Sequence, residues 1–77
     1  MSRVFTDRDL QNWEAYPSGG RYGLPDSPKI IFNCLSRPDD PARYVRFQGD
    51  EADAEAAVAG ATDDRLRELL GASSVLD

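Results

Sequence analysis

Apolar and polar residues change rhythm once along the chain. Up to residue 48 they alternate in short β-prone runs; beyond it they recur at helical spacing. SRVFT is short and β-prone, and Asp7, Arg8 and Asp9 after it read as a polar turn. QNWEAY then reads as a strand pairing back on the first. Trp13 and Ala15 share one of its faces, and Asn12, Glu14 and Tyr16 share the other. KIIFNCLS is the most continuously apolar run, which predicts a central strand covered on both faces. SRPDDP is turn chemistry. ARYVRFQ alternates again, with Val45 and Phe47 pointing one way and Tyr44, Arg46 and Gln48 the other.

GDEADAEAAVAGA reads as a helix capped by Asp50, with Glu51 and Asp53 favourably placed in the first turn. Ala54, Ala57, Val58 and Ala61 fall on one narrow face of small side chains, and Gly60 ends the helix. Thr62 caps a second helix, DDRLRELL, whose stripe is Leu66, Leu69 and Leu70; Gly71 stands where a C-cap glycine belongs. Residues 72–77 read as a fraying tail, with Val75 and Leu76 available to dock. The connections between strands are too short for parallel crossovers. The predicted architecture is therefore α+β: a small antiparallel sheet of three to four strands, followed by two short helices packed on one face. It forms one domain over 1–77, strand-rich over 1–48 and helical over 50–71.

Composition narrows the chemistry. With 77 residues the chain makes one small domain. Its net charge of −5 is unevenly spread: 1–48 carry a balance of +1 and 49–77 one of −6. Trp13 and every Phe and Tyr precede residue 48. There is one cysteine, Cys34, and no histidine, so no internal disulfide forms and the commonest general base and metal ligand are missing. No cofactor or metal and no enzymatic activity are expected. No apolar run reaches the roughly 20 residues of a membrane helix. MSRVFTDRDLQ lacks the apolar stretch of a signal peptide, so the expected location is cytoplasmic.

Gly19, Gly20 and Gly23 do not have the spacing of a phosphate-binding loop, no Lys-Ser/Thr follows, and the next element is a strand rather than a helix. They read as a turn. Cys34, mid-strand with Ile30 and Phe32, reads as a buried packing residue. Asp39-Asp40 and Asp63-Asp64 have ordinary explanations, in a turn and in a helix's first turn. Trp13 reads as core, while Tyr16 and Tyr22 suit half-exposed positions. Arg43, Tyr44 and Arg46, with Arg21, Tyr22, Lys29 and Arg37 nearby in sequence, form the one basic and aromatic group. The functional expectation is a non-enzymatic protein-interaction module, binding an unknown protein partner or its own copy through Tyr16, Tyr22, Arg43, Tyr44 and Arg46. The alternative is single-stranded nucleic acid on the Arg43–Tyr44–Arg46 strand, against which the acidic net charge argues.

The opening FTDRDLQNWEAY resembles a loose group of small bacterial proteins. They share a Phe-x-Asp start and a Trp-Glu strand, and end in a short acidic helix like TDDRLRELL. The likeness rests on Phe5, Asp7, Trp13, Glu14 and the last helix, and covers the two ends of the chain. Members often place glycine in the first turn, where this chain has Leu10. The resemblance implies strands before helices and a bacterial source; the group has no known activity.

Overall fold

Alternation and turn chemistry produce the first four strands of a sheet that, among the described residues, has five strands in antiparallel order. The structure, a computed structural model, describes residues 2–18, 28–47 and 51–76, the Glu51 side chain excepted. The glycine turn, Tyr22, Gln48 and the Asp50 cap lie outside the described residues. Strands β1 (Arg3–Thr6), β2 (Asn12–Ser18), β3 (Lys29–Cys34) and β4 (Arg43–Arg46) form a meander. Helices α1 (Glu51–Gly60) and α2 (Asp63–Gly71) follow, and β5 (Ser74–Val75) pairs with β4. The expected α+β layering is present, with one strand more than the pattern predicted. The extra strand comes from the tail: Leu76 N–H donates to Ala42 O at 2.8 Å, and Tyr44 stands opposite Ser74.

Register sorts the side chains. Phe5, Trp13 and Cys34 stand side by side across β1, β2 and β3, as do Ala15 and Phe32 across β2 and β3. These residues, with Ile30, meet Val58 of α1 and Leu66 of α2 in one core cluster. Phe5 and Phe32 pack edge to face, with centroids 6.1 Å apart. Cys34 is buried in this core, as its position predicts. The small face of α1 lets the helix lie close to the sheet: Ala54 and Val58 are fully buried against β2 and β3.

β2 runs two residues beyond the QNWEAY segment, through Pro17. Among the described residues β1 begins at Arg3, opposite Ala15, and Pro17 has a cross-strand partner only on the β3 side, where it faces Ile30. A missing N–H is tolerated on a strand's free side.

Two arginines tie the helices to β1. Arg3 Nη1 donates to Val58 O, Ala59 O and Ala61 O at 3.3, 3.2 and 2.8 Å, and its Nη2 pairs with Asp63 at 3.1 Å. A cation thus sits on the carbonyl end of α1, which has no basic residue in its own last turn. Arg67 Nε donates to Thr6 O at 2.7 Å, covering an outward carbonyl of the edge strand.

Thr62 caps α2 as expected, its hydroxyl accepting from Arg65 N–H at 3.1 Å. Gly71 does not serve as a left-handed cap. It is the last residue of α2, and Ala72 closes the helix at φ −92, with its N–H bifurcated to Glu68 O and Leu69 O. Among the described residues, Leu10 in the β1–β2 turn is left-handed, with φ 64.

Candidate interaction surface

The helices cover one face of the sheet. On the other, three cross-strand neighbours form a row: Tyr16 on β2, Ile31 on β3 and Tyr44 on β4. Ile31 is 8% exposed yet lies outside the core cluster. Ile30, Ile31, Phe32 and Cys34 are all buried, as the apolar run KIIFNCLS predicts for a central strand. Among the described residues no helix or strand packs on this second face, and Ile31 is instead bracketed in register by the two half-buried tyrosines.

Cations lie one pair further along. Lys29 stands opposite Arg46, and Lys29 Nζ lies 5.7 Å from the centre of the Tyr44 ring, a cation–π distance. Arg46 is exposed, and its guanidinium has no hydrogen-bond or ion-pair partner among the described residues. At the other end of the row, Glu14 faces Asn33 and accepts from the Ser2 hydroxyl at 3.0 Å. The side chain of Asn33 approaches the Tyr16 hydroxyl at 3.5 Å. The acids of the helices, Asp53, Glu55, Asp63, Asp64 and Glu68, are exposed on the opposite layer. Among the described residues Lys29 and Arg46 thus lie together beside Tyr44, while Arg3, Arg65 and Arg67 on the helix side are paired with its acids.

Of the five residues expected at an interaction surface, Tyr16, Tyr44 and Arg46 come together. Arg43 does not. It stands opposite Phe32, on the helix-bearing face, because side chains alternate and 43 has the opposite parity to 44 and 46. Its Nε donates to the Ser73 hydroxyl at 2.8 Å and its Nη2 to Ser73 O at 2.6 Å, while Ser73 Oγ donates to Leu70 O. Arg43 locks the α2–β5 joint. Tyr22 lies outside the described residues. Lys29, near these residues in sequence, joins the surface through the β3–β4 register, and sequence reasoning missed Ile31, which joins it the same way. The signal available was their alternation with Ile30 and Phe32.

Two clefts adjoin the outer edge of β4. One, of about 430 Å³, has a floor of Ile30, Val45 and Phe47 and walls that include Gly60 and Leu69. The second, of about 450 Å³, lies where β5 stops, and Val45, Arg46 and Leu69 line both. Among the described residues no group of three or more His, Cys, Asp or Glu gathers to hold a metal, and no helix is long and apolar enough to cross a membrane.

Comparison of the chain with known protein families, with characterised proteins and with solved structures found no match.

Proposed function

We propose that this protein is a non-enzymatic interaction module that docks an acidic, partly apolar protein surface on the open face of its sheet. The observation that carries the reading is the Tyr16–Ile31–Tyr44 row, flanked by Lys29 and Arg46. Tyrosine and arginine are enriched among the residues that dominate binding energy, and the positive end of the row complements an acidic partner. Burial of Cys34 in the core supports a packing role for the one thiol.

The test compares capture from a lysate of the source cell by the tagged protein, Tyr44→Ala and Arg46→Glu, with and without nuclease. A protein retained by the parent after nuclease, and lost from both variants, supports the reading. Equal capture by all three overturns it. Capture abolished by nuclease overturns it too and assigns the face to single-stranded nucleic acid, which stacks on aromatic platforms of this kind.

A further inference from the structure

We infer that the partner enters as an extended segment that adds to the outer edge of β4, with acidic and apolar residues alternating along it. This rests on the interaction reading above and names the form the partner takes.

The first observation is the main chain. Phe47 N–H donates to Pro28 O at 2.8 Å, and Lys29 stands opposite Arg46. Ladder bonds in an antiparallel pair fall on alternate residues, so Phe47 and Val45 bond inward to β3. The N–H and C=O of Arg46 point outward. The corresponding outward groups of Ala42 and Tyr44 face β5, which ends opposite Tyr44. Arg46 is the next outward position and faces the 450 Å³ cleft. An unpaired strand edge is a template for another chain.

The second observation is the cleft on the helix side of the same edge, which is mostly apolar, with Val45 and Leu69 in its lining beside Arg46 and Arg65. The third is the guanidinium of Arg46 on the open face, which has no partner among the described residues. Successive residues of an added strand point to opposite faces. One side chain would enter the apolar cleft, and the next would reach Arg46 and Lys29. Backbone bonds and alternate side-chain sites are the two parts of recognition by strand addition. A helix would present its apolar groups at the wrong spacing and leave the Arg46 amide unpaired.

The probe is a fluorescent octapeptide of alternating valine and glutamate, with a block peptide, four valines then four glutamates, as control. Anisotropy should show saturable binding of the alternating peptide, at least about tenfold tighter than the block peptide. Arg46→Ala keeps the outward N–H and should weaken binding about tenfold. Arg46→Pro removes that N–H without touching the ladder to β3 and should abolish binding. Gly60→Leu provides a second route: a Cβ there meets nothing within 4 Å, and the side chain would fill the cleft and abolish binding. Equal affinities for the two peptides overturn strand addition. So does a folded Arg46→Pro that binds as well as Arg46→Ala, or a folded Gly60→Leu that binds as well as the parent. If Tyr44→Ala still weakens binding in those cases, the open-face reading stands and only the strand form is lost.

Discussion

The carboxylate of Asp7 accepts the indole N–H of Trp13 at 2.7 Å through Oδ2, while Oδ1 accepts the amides of Asp9 and Gln11 at 2.8 and 2.9 Å. One side chain thus shapes the β1–β2 turn and satisfies the only polar atom of the core's largest residue. Burial is the largest single influence on this carboxyl and pushes its pKa up. The amide of Gln11, the Trp13 indole, the amide of Asp9 and the charge of Arg37 together outweigh it, leaving the pKa below the ordinary aspartate value. A carboxyl lowered on folding stabilises fully above its unfolded value, about 3.9, and loses that contribution as pH falls through the folded value. Urea midpoints should therefore drop below about pH 4, and Asp7→Asn should be less stable at pH 7 but lose less on acidification. Parallel decline of the two proteins would assign the acid sensitivity to another group.

Leu10 adopts the left-handed conformation at φ 64 and is 82% exposed, so it bears the steric cost with little packing in return. Leu10→Gly should raise stability by about 0.5–1 kcal/mol, after allowing for the greater freedom of glycine in the unfolded chain. Leu10→Val should lower it. Thermal melts of both variants decide the point.

Arg3 holds three carbonyls at the end of α1 together with Asp63. Arg3→Met keeps most of the stem and removes the donors, at a cost of about 1–2 kcal/mol. Arg3→Lys should recover part of it, since one ammonium cannot reproduce the planar fork. Denaturant titration of the pair measures both.

Arg43 and Arg46, three residues apart, should behave oppositely. Arg43→Met breaks the bonds to Ser73 and should cost about 1–3 kcal/mol without changing affinity for an open-face ligand. Arg46→Ala should change stability by less than about 0.5 kcal/mol and weaken that ligand. Melting and binding measured on both proteins separate the roles.

Elements with a strong period were legible in the sequence. The inward sets on β2 and β4, the Thr62 cap and the α2 stripe follow from alternation and spacing alone. What escaped depended on pairing between distant residues. Ser74–Val75 has no strand signal of its own and is a strand because β4 offers it an edge. Proximity in sequence groups Arg43 with Tyr44 and Arg46, although period two separates it from them. Lys29 and Ile31 join the surface through a register that no single strand encodes.

The arginine ties between β1 and the helices bear on how long the folded chain survives. The first four strands pair with their sequence neighbours, so the meander assembles through short loops. Arg3 and Arg67 join residues 55 to 61 positions apart, closing the longest loops, which favours their forming after the meander. Contacts made late affect escape from the native state more than entry to it. Those two side chains then act as a latch: without them the chain would reach its fold nearly as fast, and leave it sooner.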